Sequence, residues 1–228
     1  PRSGMPREPQ AFEDEVAFIL NESARYLSKP LGRSDVRSVW VGLRPLVKRT
    51  AEEDNNTKGL SREHSVSVSR SGLVTVTGGK WTTYRAMAED VLAQCEAHQL
   101  LPASSSAATL ARPWFMGARH TNFPPVSLTQ SQGMHLYGDE RTQVMQLPGA
   151  DNWLAVGLNE AMVRFAVRKE YARNVEDILA RRSRLLFLDA NASMAVAASV
   201  AAILADEGCE KTELNNYLSM AQGYILPH

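Results

Sequence analysis

The sequence has little cysteine, no excess of either charge and no long apolar run. Its two cysteines in 228 residues, Cys95 and Cys209, lie far apart with no CxxC or Cys/His spacing. That excludes a disulfide framework and offers no zinc ligand set, so no metal is expected. Lys plus Arg and Asp plus Glu each number 25, for a net charge of zero. A partner held through phosphate neutralisation, such as a nucleic acid, would call for a basic surplus. The most apolar stretch, Ala195 to Ala205, is Ala-rich and too short to cross a bilayer. The opening PRSGMPREPQ has no apolar signal-peptide core and no initiator Met, which points to a cut fragment. With 44% hydrophobic residues the chain is too apolar for wholesale disorder. What is left is an ordinary globular composition of one large or two small domains.

Three blocks follow along the chain: residues 1–98, a Ser/Ala/Pro-rich linker over 99–130, and a helical block over 131–228. In the first, apolar residues from Phe12 to Leu27 predict a helix over Phe12 to Ser28, with Glu13, Asp14 and Glu15 on its favourable first turn. VRSVWVGLRPLV (Val36 to Val47) reads as a strand broken by Gly42 and Pro45. EHSVSVS and LVTVT, joined through Arg70, Ser71 and Gly72, predict a hairpin with Val66 and Val68 on one face. A helix from about Thr83 to His98 follows. Its stripe of Tyr84, Met87, Ala88, Val91, Leu92 and Cys95 is expected to be buried, with Cys95 a small hydrophobe rather than a reactive thiol. The third block predicts helices near Gln143 and over Gly157–Ala180, Ala190–Glu207 and Lys211–Gly223. Met162, Phe165, Ala166, Tyr171, Val175, Ile178 and Leu179 mark a buried side, and Asp189 or Asn191 a helix cap.

The chemistry-bearing stretch is strand, then Gly78-Gly79-Lys80-Trp81-Thr82-Thr83, then helix. The first amides of a helix lack intrahelical partners and carry partial positive charge, and preceding glycines allow close approach of a ligand. Two readings stay open: an anion or polar-ring cradle, or a tight turn capped by Thr82 or Thr83. The stretch is neither a P-loop nor GxGxxG. Arg44, in GLRPL, and Arg62 are either solvated cations or a bidentate phosphate fork. His64 is either a strand-face residue or a base.

Together, WVGLRPLV, LSREH, the strand pair and TVTGGKWTTYRAMAEDV resemble closely the FAD-dependent, quinone-linked glycerol-3-phosphate dehydrogenases of the D-amino-acid-oxidase-like flavoprotein superfamily. Glu160 to Ala190 resembles the helical C-terminal domain of the same family, and RRSRLLFL matches its mitochondrial-type RRxRLxFL pattern. The resemblance implies an α+β fold: part of a flavoprotein domain with mixed or antiparallel strands, followed by an all-helical C-terminal domain. It implies FAD as cofactor, contacted by Gly78, Gly79, Lys80, Trp81, Thr82 and Thr83. Glycerol 3-phosphate would be bound by Arg44 and Arg62, with Lys80 beside flavin and substrate. The implied reaction is hydride removal from C2 to give dihydroxyacetone phosphate, with electrons passed to a membrane quinone.

The family's N-terminal glycine-rich fingerprint is absent from this sequence, so the fragment alone is expected to be inactive and to bind FAD poorly. The expected setting is cytoplasmic, peripheral to the inner membrane, and open strand edges make a homodimer possible. Two alternatives remain. One is a glycerol-3-phosphate oxidase. The other is a helical module binding membrane or a partner through Arg181, Arg182 and Arg184, unless these are merely a solvated helix end.

Overall fold

The computed structural model describes residues 6–43, 63–102, 117, 126–127, 130 and 133–227. The chain forms two compact units, one from residues 1–7 and 42–112, the other from 8–41 and 113–228. This division differs from the sequence blocks, because residues 8–41 find their partners among the C-terminal helices.

In the first unit, strands β1 (Ser65–Val68) and β2 (Val74–Thr77) pair antiparallel, Ser65 opposite Thr77 and Val68 opposite Val74. Gly72, at φ +83°, takes the left-handed position of the connecting turn. The Ser69 hydroxyl accepts from the Leu73 N–H at 3.1 Å, and the hairpin follows the predicted alternation. Helix α2 (Tyr84–Ala97) packs on β1. The predicted burial of its stripe is not met: no described residue of the hairpin or α2 is buried, and Tyr84 and Leu92 are exposed. The two strands and one helix among the described residues of this unit are too little chain to enclose a core by themselves. Cys95 is half-buried and free.

The second unit contains the core. Helix α1 (Glu13–Ser23) is shorter than predicted and buries only Val16. The Glu15 carboxylate accepts from the Phe12 N–H at 3.0 Å across its first turn. Residues 36–43 form no strand, and the rest of that predicted strand lies outside the described residues. Their donors and acceptors meet helix ends instead of a sheet: the Val39 N–H donates to the Tyr224 carbonyl at 2.8 Å.

Helix α3 (Arg141–Met145) precedes a short hairpin of β3 (Trp153–Ala155) and β4 (Leu158–Asn159), so the C-terminal region is not helical throughout. Asn159, fully buried, caps α4 (Glu160–Lys169): its side-chain oxygen accepts from the Met162 N–H at 2.9 Å, and its amide donates to the Ala150 carbonyl. The helix predicted over Gly157–Ala180 stops at Lys169. Tyr171 at φ +63° reverses the chain, and a π-helical turn follows over Asp177–Arg182. Tyr171 is therefore 77% exposed rather than buried, with the Arg173 guanidinium 4.2 Å above its ring. The other predicted core residues of this stretch, including Phe165, Val175 and Leu179, are buried.

Helices α5 (Leu185–Leu188), α6 (Ala190–Asp206) and α7 (Leu214–Gln222) complete the core. Asp189 is the cap of α6, its carboxylate accepting from the Ala192 N–H at 2.9 Å.

Candidate functional site at the hairpin–helix turn

β2 ends at Thr77, and the next two residues turn the chain toward α2. Gly78 and Gly79 have φ of +75° and +80°, a region that side chains rarely occupy. At Gly78 the backbone of a neighbouring residue also leaves no room, while at Gly79 a flexible side chain would have to move. A Cβ on Gly78 would overlap the Glu63 carbonyl oxygen, and one on Gly79 would overlap the Met87 thioether and press on the His64 side chain. The positive φ values favour glycine at both positions, and at Gly78 the packing requires it as well.

The exposed part of the turn begins at Lys80, which is extended (φ −137°, ψ 152°). A 3-10 turn over Trp81–Thr83 then leads into α2. Thr83 occupies the cap position without capping: its hydroxyl donates to the Lys80 carbonyl at 3.0 Å and does not accept from a helix amide. Thr82 makes no cap either, so the predicted threonine cap is corrected. Trp81 is 87% exposed and stacks on Tyr84 at 5.7 Å between centroids. Lys80 to Thr83 are all exposed, which leaves a polar and aromatic edge at the start of a helix. Behind that edge, His64 Nε2 lies 3.0 Å from Asp90 Oδ2 and ties the entry of β1 to α2. His64 is thus half-buried and hydrogen-bonded.

Arg44 and Arg62, the predicted phosphate-binding pair, lie outside the described residues. The third cationic candidate is largely committed elsewhere. Arg181 is paired with Glu176 and Asp177, and Arg182 donates to the Glu170 carbonyl. Arg184 is exposed and in the left-handed conformation at φ +56°. Two of the three arginines are therefore engaged within the helical unit, and Arg184 is exposed.

A cavity of about 520 Å³ opens in the second unit, lined by Tyr137, Glu140, Lys169, Glu170, Arg182 and apolar residues including Met162. Burial, and then the Glu170 carboxylate, push the Tyr137 phenol up, and burial pushes the Glu170 carboxyl up in turn. No residue pattern announces this cavity, because its wall depends on where α4 stops and the π-helical turn begins. No group of three or more His, Cys, Asp or Glu able to hold a metal occurs among the described residues.

The helical core matches a known family. Residues 134–209 match the family model described as the C-terminal domain of alpha-glycerophosphate oxidase. Over 98% of its length the chain is 36% identical to a probable mitochondrial glycerol-3-phosphate dehydrogenase of Caenorhabditis elegans, covering 34% of that protein. It is 37% identical over 81% of its length to the mitochondrial glycerol-3-phosphate dehydrogenase of Bos taurus, covering 28% of it. It is 35% identical over 87% of its length to glycerol-3-phosphate dehydrogenase SDP6 of Arabidopsis thaliana, also mitochondrial, covering 36% of it. The chain is homologous to the C-terminal portion of glycerol-3-phosphate dehydrogenases. It spans about a third of the length of these curated relatives.

Proposed function

We propose that this chain supplies the C-terminal part of an FAD-dependent glycerol-3-phosphate dehydrogenase, which oxidises glycerol 3-phosphate to dihydroxyacetone phosphate and passes electrons to a quinone. The observation that carries the reading is the exposed edge Lys80–Thr83, presented by a glycine turn at a helix start, in a chain homologous to such dehydrogenases. That edge suits a flavin: exposed aromatic and polar residues at the positive end of α2 suit a planar ring that gains negative charge on reduction. Bound there, the flavin would supply the two-electron chemistry. Lys80, Trp81, Thr82 and Thr83 would hold the ring, while Gly78 and Gly79 shape the turn that presents them.

Lys80 offers a mobile cation beside the same edge, placed to orient an anionic substrate or to balance developing charge. Arg44 and Arg62 are assigned to the substrate phosphate, whose geometry suits a guanidinium fork. The 228-residue chain by itself holds only one side of this site, so it is expected to be inactive and to bind FAD weakly. Among the described residues no helix is long and apolar enough to cross a membrane, and peripheral attachment is proposed for access to the quinone.

The test is steady-state kinetics of the full-length enzyme with Arg44→Ala. The expected result is a KM for glycerol 3-phosphate raised at least tenfold with FAD content unchanged. A KM within twofold of wild type removes Arg44 from the site. The family model's oxidase name favours one further reading, in which oxygen replaces the quinone as acceptor. Oxygen consumption by the full-length enzyme without added quinone would establish it.

A further inference from the structure

The glycine turn has no side chains of its own to hold it. With φ of +75° and +80° at Gly78 and Gly79, its shape is set by whatever lies against it. Two elements do so. Residues 63–64 run on past the last ladder pair, Ser65 opposite Thr77, and bring the Glu63 carbonyl and the His64 Cα beside Gly78. A Cβ on Gly79 would stand 3.2 Å from the His64 Cβ, and the Met87 thioether of α2 closes the same space. All of these residues belong to one compact unit.

His64 therefore sits where the entry of β1, the turn and α2 meet. Its Nε2 donates to Asp90 Oδ2 at 3.0 Å, since a carboxylate can only accept. Asp90 lies three positions after Met87, on the same face of α2. The bond thus closes a ring of chain that runs from His64 through the hairpin and the turn to α2, and back across 26 positions. Lys80 to Thr83 lie inside this ring. They are exposed, and the Thr83 hydroxyl bond to the Lys80 carbonyl is internal to the edge. No described residue of the hairpin or α2 is buried, so no core fixes one against the other among these residues. A directed bond at the junction supplies the rigid support that a packed core would otherwise give.

We propose that His64 and Asp90 are positioning residues for the edge Lys80–Thr83: their hydrogen bond holds the glycine turn against α2 and so preorganises the edge for a flavin ring. This rests on the reading of that edge as the flavin contact. It gives the pair a role in cofactor affinity that depends on the hydrogen bond rather than on charge.

The experiment uses the full-length enzyme and two readouts. One is the dissociation constant for FAD. The other is amide deuterium exchange of the FAD-free enzyme in peptides covering residues 78–84 and 91–97. The variants are Asp90→Ala, Asp90→Asn, His64→Ala, the His64→Ala/Asp90→Ala double and Trp81→Ala. The control is Glu89→Gln, which removes an exposed pair with Arg85 one residue away. Asp90→Ala is expected to raise the FAD dissociation constant about fivefold or more and to speed exchange over 78–84 about tenfold, with 91–97 within about twofold. Asp90→Asn, whose amide oxygen still accepts from His64, stays near wild type in both, as does Glu89→Gln. Added to His64→Ala, Asp90→Ala costs less than about twofold more, because the bond is already gone.

Exchange that rises equally over both peptides would mark a merely structural bond and overturn the proposal. So would wild-type FAD affinity in Asp90→Ala, an Asp90→Asn enzyme as impaired as Asp90→Ala, or an equal cost of Asp90→Ala in both backgrounds. Should His64→Ala fail to fold, Asp90→Ala against Asp90→Asn decides by the same criteria. Trp81→Ala separates the proposal from the reading beneath it. If that variant binds FAD as wild type does, the flavin-edge assignment itself fails. If it weakens FAD binding and Asp90→Ala does not, only the positioning role falls.

Discussion

Between α6 and α7 the Ser193 hydroxyl and the Tyr217 phenol share a hydrogen bond at 2.5 Å, and both side chains are buried. Burial pushes the phenol up to about 12, partly offset by the Ser193 bond, so Tyr217 is a neutral hydroxyl at any physiological pH. Ser193→Ala strands that hydroxyl in an apolar core, at a cost of about 1–3 kcal/mol. Tyr217→Phe costs less, because a helical serine can turn back to the carbonyl one turn earlier. The expected order in urea unfolding is that Ser193→Ala/Tyr217→Phe is more stable than Ser193→Ala alone. At the proposed site, Lys80→Ala in the full-length enzyme is expected to lower kcat more than it raises KM. If kcat, KM and FAD content all stay at wild-type values, Lys80 is only a turn residue. At this scale the sequence was readable where chemistry is local: Asp189 as a cap and Phe165 in the core are both found. Tyr171 was misread because its left-handed backbone, which turns the ring outward, leaves no mark in apolar spacing.

Helices α4 and α6 are joined at one end by a charged clasp. Arg164 reaches Glu160 at 2.5 Å and both Asp206 and Glu207 at 2.6 Å, while Arg168 takes the other oxygen of Glu207 at 2.7 Å. Glu207 is held below the usual carboxylate range, first by the Arg168 hydrogen bonds and then by those of Arg164, against its own desolvation. Glu160 is lowered too, first by Asn152 and then by Arg164. A carboxyl whose native value lies below its unfolded value stabilises the fold fully above the unfolded value, about 4.3. That contribution disappears as pH falls through the lower native value. Urea midpoints are therefore expected to fall on acidification below about pH 4.5. Glu207→Gln should flatten that slope, and Arg164→Ala should cost about 2–3 kcal/mol at neutral pH. Elements themselves were legible where period and burial agree, as in α4, α6 and the β1–β2 hairpin. The strand expected over 36–47 shows the limit. Alternating β-branched residues predict a strand, but nothing in that pattern says whether the backbone groups of the described part, residues 36–43, meet another strand or the ends of helices.

At the scale of the whole molecule, the two units differ in how much they enclose. The C-terminal unit has a continuous core running from Val144 to Ala221. The hairpin and α2 have no buried side chain among their described residues, and Leu73 and Trp81 are exposed. Opening free energies follow buried contacts. In the 228-residue chain, amides of β1, β2 and α2 are therefore expected to exchange with deuterium at least a hundredfold faster than those of α4 and α6. Equal protection would show that the first unit is stabilised by something other than its own packing. This contrast was only half visible in sequence. Amphipathic spacing says which residues seek cover, and α2 has the spacing, but it cannot say whether the cover belongs to the same stretch of chain. The candidate site divides in the same way: the glycine turn is written in local residue types, while any convergence with Arg44 and Arg62 depends on contacts remote in sequence.

The helical unit is assembled from two separated stretches, 8–41 and 113–228, with the other unit between them. Ser38 waits for a carbonyl 148 positions downstream. At about 5–20 residues per second, a ribosome takes about 7–30 s to bring that partner into being. Through that interval Trp40 and its neighbours are out on the nascent chain with nothing to dock on, which makes this early segment a natural client for chaperones. A translational pause or a truncation upstream of Leu186 would leave it orphaned.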